Sequence, residues 1–314
     1  LCIRCFVRMI YQTTITQSVS FEGVGLHTGK NSKIRILPAD ANNGIIFKRV
    51  DLKSKNLIKA NFANVSSAKL CTTLENDHGV KVSTVEHLLA ALYISGIDNV
   101  LIEINNEEVP IMDGSSIEFI RALKKANLID QTEKRKYLKI SNKIELLDGE
   151  RKISIEPNNL SLEVNFQLNY KNKIIGKQKN IVDFQKDNLE QVSSSRTFCL
   201  FEDIEKIKKL GLAKGGSLEN AVVVDNDKVL NKDGLRNQKE FVNHKILDLA
   251  GDFLLSGHRI AGRVICYQGG HELTNLFLKK IFKTKMAFEV IELSSFKASK
   301  KFYSKELEKI AVNA

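Results

Sequence analysis

Six histidines occur in the 314 residues, and three of them have neighbours that could do chemistry with them. In Asn243-His244-Lys245-Ile246-Leu247-Asp248, the imidazole and the carboxylate stand at i and i+4. On a helix they share one face, about one turn apart, and Asp252 carries that face one turn further. A helix offers two ligands to one metal ion in this way, although a solvated His/Asp pair has the same spacing. In Thr84-Val85-Glu86-His87, a carboxylate directly precedes an imidazole. Zinc hydrolases use that order when His binds the metal and Glu takes a proton from the bound water. A favourable acidic residue in a first helical turn would account for Glu86, but not for His87 at the head of an apolar run. His271 follows Gly269-Gly270, a pair that permits a tight turn. An imidazole presented there suits general acid work near neutral pH, and an ordinary strand-to-helix turn would read the same.

These groups need elements to hold them. Residues 84–95 carry Leu88, Leu89, Leu92 and Tyr93 at helical spacing, which predicts a helix with Thr84 as N-cap and Gly96 as stop. Further helices are predicted over 116–126, 241–256 and 275–282. Period-two alternation predicts strands over 33–38, 100–104 and 160–168. Segments 137–146 and 151–156 flank Asp148-Gly149 as a hairpin, and 264–267 reads as a short strand. Residues 130–136 are polar and without periodicity and are read as a linker. The expected organisation is an N-terminal domain over 9–129, a C-terminal domain over 137–290 and a basic tail over 291–314. Met9 is read as the natural start and 1–8 as an upstream extension. The halves echo one another: 33–38 resembles 152–157, and in each half a His-bearing helix ends in Ser-Gly before a strand. Duplicated α+β units would place a site at their interface.

Lysine and arginine number 48 against 37 acidic residues, a net charge of +11. That charge fits a phosphate-bearing substrate, or lysines spread over solvated faces. No nucleic-acid-reading motif accompanies it, so no nucleic-acid partner is expected. The longest apolar-leaning run, 87–97, is too short to span a bilayer. Five cysteines at irregular spacing, including a lone Cys2/Cys5 pair, do not form a disulfide framework, and a cytoplasmic protein is expected.

Seven ordered segments go further. They are 20–29 (with His27), 83–88, 109–115, 195–198, 211–217, 243–252 and the Gly270-His271 turn. Together they resemble UDP-3-O-acyl-N-acetylglucosamine deacetylases, zinc enzymes of lipid A biosynthesis for the Gram-negative outer membrane, over about residues 11–281. The resemblance implies an α+β fold of two similar domains. Each would be a two-layer sandwich of sheet on helices, with small β and β-α-β inserts. It implies hydrolysis of the N-acetyl group of UDP-3-O-(3-hydroxyacyl)-N-acetylglucosamine with release of acetate, using one catalytic Zn²⁺ per chain.

Carried over by position, the resemblance makes His87, His244 and Asp248 the zinc ligands. Glu86 becomes general base toward zinc-bound water and His271 general acid, with Asp252 orienting His271. Thr197 would help bind the oxyanion. Lys245, about 100° round the helix from His244, would contact substrate or developing charge. Phe198, Leu200 and Leu212 belong to the acyl passage, with Leu70 and Cys71 near the metal and Tyr170 near the uridine. Ile204 and Ile207 read as ordinary helix core, and His27 as pocket-lining or structural. His258 reads as a helix-end residue held by the dipole, and His78 as a loop residue. The partner is the small-molecule substrate. The chain is expected to be a monomer, with at most transient contact with a membrane surface.

Overall fold

In β3 (Asn31–Pro38), Ser32, Ile34 and Ile36 are buried while Lys33 and Arg35 face solvent, which is the pattern of a strand with one covered face. It lies in a five-stranded sheet with β2 (Val19–Val24), β9 (Val100–Ile104), β4 (Ile45–Arg49) and β5 (Leu57–Lys59), in the order β2-β3-β9-β4-β5. The computed structural model describes residues 9–293. The expected tail therefore lies outside the described residues from 294 onward, as does the expected extension 1–8.

The second half repeats the first strand for strand. The hairpin of β12 (Ile144–Asp148) and β13 (Arg151–Glu156) adds to β19 (Arg259–Tyr267), which runs parallel to β14 (Leu162–Asn169), itself antiparallel to β15 (Lys177–Asp183). The first sheet uses the same directions: β2/β3 and β3/β9 antiparallel, β9/β4 parallel, β4/β5 antiparallel. Each half also has an outer antiparallel pair, β1 (Tyr11–Ile15) with β10 (Leu128–Lys134), and β11 (Lys136–Ile140) with β20 (Phe288–Glu292). These five strands keep the same order and directions in both halves, while the outer pairs differ: β11 also joins β19 in parallel, and β1 with β10 forms a two-stranded sheet.

Helix α1 (Glu86–Ser95) belongs to the first half and α5 (Glu240–Leu254) to the second. Residues 86–93 of α1 are all buried, as befits a helix covered on every side. Leu88, Leu89 and Leu92 are fully buried, and each contributes about 1.5–3 kcal/mol of transfer free energy. Gly96 ends α1 in the left-handed region, with φ 80°. Helix α2 (Ile117–Lys125) packs on α1 and sets Phe119 against Phe21 of the first sheet, α3 (Glu190–Ser193) is a single turn, and α6 (His271–Lys283) packs on α5.

Two inserts complete the chain. A three-stranded sheet of β6 (Val65–Ser67), β7 (Thr73–Glu75) and β8 (Lys81–Val82) precedes α1. In the second half β16 (Phe198–Leu200), α4 (Phe201–Lys209) and β17 (Val222–Asp225) form a β-α-β unit with parallel strands, edged by β18 (Lys228–Val229). Among the described residues no helix is long and apolar enough to cross a membrane.

Five local expectations are corrected. Most of the expected linker is strand β10; its polar residues left no alternation because none of them is buried. Segment 137–146 is two strands broken at 141–143, since β11 joins β19 and β20 while β12 begins the hairpin. The short strand at 264–267 begins at Arg259, and the helix expected at 275 begins at His271. Thr84 does not cap α1: it sits at φ 55°, its Oγ1 donates to Glu108 Oε1 at 2.8 Å, and Val85 occupies the cap position.

Candidate metal centre and active site

The start of α5 is anchored before it presents any ligand. Glu240, fully buried, accepts from the Arg196 guanidinium at 2.8 and 3.2 Å and from the backbone N–H groups of Arg196 and Arg236. This pins the 195–197 strand entry to the helix. Ser195 O then accepts from His244 Nδ1 at 3.1 Å, which leaves His244 Nε2 free to face inward. Burial drives the His244 pKa down to about 3 against the pull of Asp248, so the ring is neutral.

From the facing helix, His87 brings its Nε2 to 3.4 Å from Asp248 Oδ1, and His244 Nε2 lies 3.3 Å from that same oxygen. The two rings are 5.0 Å apart between centroids and nearly perpendicular. Asp248 Oδ1 is buried and has no hydrogen-bond partner. With His244 Nδ1–H committed to Ser195, its Nε2 lone pair points at a carboxylate oxygen, a repulsive arrangement unless a cation lies between. Tetrahedral zinc, with bonds of about 2.0–2.1 Å, spaces its ligand atoms about 3.3–3.4 Å apart. The ligand atoms of His87, His244 and Asp248 all lie within 4.8 Å of one another. Two imidazoles and one carboxylate are a donor set that fits a catalytic divalent ion.

A row of hydrogen-bonded acids and one imidazole runs beside this triad. His271, the first residue of α6, places Nδ1 2.7 Å from Asp252 Oδ2. Its Nε2 stands 3.8 Å from Glu86 Oε1 and 3.7 Å from Asp248 Oδ2. Burial opposes the charge on His271, but Asp252, Glu86 and Asp248 outweigh it and raise the pKa to about 10. Burial pushes Glu86 up from the ordinary carboxylate range, with His271 and His87 opposing. A carboxyl group and an imidazolium near one point are the makings of acid–base chemistry.

Lys245 reaches the site despite its angle on the helix. Its long side chain spans i to i+3, so Nζ donates to Asp248 Oδ2 at 2.9 Å and lies over the Phe198 ring at 5.5 Å. Lys245, His271, Thr197, Phe198, Leu200, Leu70 and Tyr170 all line one cleft of about 420 Å³. An apolar cavity of about 360 Å³ adjoins it and shares Leu70, Thr197 and Phe198. Ile204 and Ile207 line this cavity, which corrects their reading as core: α4 buries none of its residues. His27 also lines it, and burial lowers its pKa.

Two expected binding residues sit off these walls. Cys71 is buried near Glu86, and burial together with that carboxylate pushes its thiol up to about 12. Leu212 is half-buried behind Gly211, its N–H donating to Ile207 O to close the end of α4. His258 lies beyond the end of α5 after Gly257; burial and Lys136 lower its pKa, the reverse of a dipole effect. His78 is an exposed turn residue. A larger cleft of about 460 Å³, lined by Gln12, Lys59, Arg135 and His258, contains none of the triad or its neighbours.

Several site residues were given no role by the sequence pattern. Thr72 contacts both Glu86 and Asp252, and Ser195 orients His244. Glu108 accepts from Thr84 Oγ1 and from the backbone N–H groups of His27 and Thr28, holding the turn before α1 to the 25–28 loop.

Comparison with known proteins adds an independent line. The family model described as "LpxC: UDP-3-O-acyl N-acetylglycosamine deacetylase" matches residues 12–283. A protein of Haemophilus ducreyi named UDP-3-O-acyl-N-acetylglucosamine deacetylase is 39% identical over 286 residues, covering 90% of this chain and 94% of its own. Proteins of the same name from Pseudoalteromonas translucida and Pasteurella multocida are 40% and 41% identical, each over 90% of this chain and 93% of theirs.

Proposed function

This chain belongs to the UDP-3-O-acyl-N-acetylglucosamine deacetylase family, and from that premise we propose that it is a Zn²⁺-dependent deacetylase of lipid A biosynthesis. Its substrate would be UDP-3-O-(3-hydroxyacyl)-N-acetylglucosamine and its small product acetate. The observation that carries this reading is the convergence of His87, His244 and Asp248 beside the Glu86/His271 pair.

His87, His244 and Asp248 would hold one ion per chain. Bound there, zinc supplies Lewis acidity that lowers the pKa of water and polarises a carbonyl. Glu86 accepts the proton of the attacking water through Oε1, which faces His271. His271 holds a proton on Nε2 for the departing amine, and Asp252 fixes the ring through Nδ1. Lys245 and Thr197 flank the cleft where an acetamide oxygen gains negative charge, and preorganised donors there stabilise the transition state. The cavity under α4 takes the hydroxyacyl chain, while Tyr170 and the basic surface favour the uridine diphosphate. Buried free thiols at Cys71 and Cys266 suit a reducing, cytoplasmic setting.

The deciding experiment pairs metal analysis of purified protein with a deacetylation assay on UDP-3-O-(3-hydroxymyristoyl)-N-acetylglucosamine, with and without chelator. About one zinc per chain and chelator-sensitive acetate release are expected. A metal-free protein that does not respond to added zinc would end this reading.

A further inference from the structure

We propose that Thr72 is a positioning residue that locks the two acid–base carboxylates, Glu86 and Asp252, into one rigid unit; this rests on the deacetylase reading above. Three bonds hold it. Its backbone N–H donates to Glu86 Oε2 at 3.0 Å, its hydroxyl donates to Asp252 Oδ1 at 2.6 Å, and its carbonyl accepts from Val85 N–H at 3.4 Å. The side chain is 2% exposed, so water does not compete for these contacts.

The geometry divides the labour of each carboxylate between its oxygens. Glu86 gives Oε2 to Thr72 and keeps Oε1 toward His271. Asp252 gives Oδ1 to Thr72 and Oδ2 to His271 Nδ1. A carboxylate held at one oxygen cannot rotate about its terminal bond, so the other oxygen keeps its aim. One residue of the first half therefore fixes the reach of Glu86 and, through Asp252, the ring plane of His271 across the interface between halves. A misplacement of about 1 Å in such a constellation costs about 10²-fold in rate. Thr72 touches none of the three metal-ligating side chains in these bonds, so its loss is felt in turnover rather than in metal content.

The test uses the full zinc-loaded chain. Thr72→Val keeps the shape and removes the hydroxyl. It is expected to lower kcat by about 10–100-fold, with KM within twofold and zinc stoichiometry unchanged, while Thr72→Ser restores kcat to within a few-fold. In an Asp252→Ala background, Thr72→Val should have almost no further effect, because the group it positions is gone. A readout without metal is the low-field imidazole N–H proton of His271 in the apo chain, assigned by its loss in His271→Gln. It should move in Thr72→Val and return in Thr72→Ser. Wild-type kcat in Thr72→Val, equal losses in both backgrounds, or a Ser variant as impaired as Val would each overturn the proposal. An inactive, metal-free wild-type chain would instead refute the deacetylase reading, and the proton resonance would still test the Thr72 contact.

Discussion

Gly251 of α5 lies directly against the carbonyl oxygen of Glu86 in α1: a Cβ at Gly251 would stand 2.1 Å from that oxygen and 3.1 Å from Ala90 N. The two helices meet backbone to backbone, and this contact brings His87 within reach of His244 and Asp248.

Gly251→Ala should therefore push the helices apart. Alanine gains about 1 kcal/mol in helix propensity, but overpacking of this kind costs typically 1–3 kcal/mol, and here the obstacle is backbone that cannot rotate away. Net destabilisation is expected in urea unfolding, together with weaker zinc retention under competing chelator. A variant of wild-type stability and metal affinity would mean that the helices are not in contact at this point.

Removal of a metal ligand and removal of the base should separate. His87→Ala and His244→Ala are expected to lose zinc and activity together. Glu86→Gln should keep its zinc and lose about 10²–10⁴-fold in turnover. Metal content and kcat measured on the same samples decide it, and near-normal turnover in Glu86→Gln would remove Glu86 from the mechanism.

Asp252→Asn should move the basic limb of the pH–rate profile. The Asp252 charge is the foremost contributor raising His271 to about 10. Without it the imidazolium loses its proton at lower pH, so activity falls earlier as pH rises, while the acidic limb stays in place. The same pair bears on stability in the metal-free chain. A raised folded pKa gives stabilisation that is complete below about pH 6.5, the ordinary histidine value, and fades as pH approaches about 10. Urea midpoints between pH 6 and 10 should therefore fall for the wild type and stay flatter for Asp252→Asn.

The cavity under α4 makes chain length measurable. Each buried methylene contributes about 0.8 kcal/mol, so kcat/KM should rise with acyl length until the cavity of about 360 Å³ is filled. Ile207→Asp places a charge on its wall and should penalise long-chain substrates far more than short ones. Equal losses for both would show that the chain binds elsewhere.

Local patterns account for the parts that were legible. The α5 pair was readable because His244 and Asp248 are joined by one helical turn, and the spacing survives whatever surrounds it. The strands with one covered face were readable from their alternation. Strand β10 was not, because none of its residues is buried and a polar strand has no period to detect. Thr84 read as a cap from its type, yet its hydroxyl went to Glu108, 24 residues away, a partner that no local rule names.

Read residue by residue, the chain already showed the helix face that pairs His244 with Asp248 and a motif order specific enough to indicate the family. Packing brings His87 of the first half within 3.4 Å of Asp248 in the second and joins Thr72 to Asp252 across 180 residues. It also decided that Ile204 and Ile207 face a cavity rather than a core. The difference lies in the range of the interactions. Periodicity and spacing record forces between residues a few positions apart. A hydrogen bond or close helix contact between distant segments exists only once the sheets and helices have packed, and it leaves no repeat along the chain.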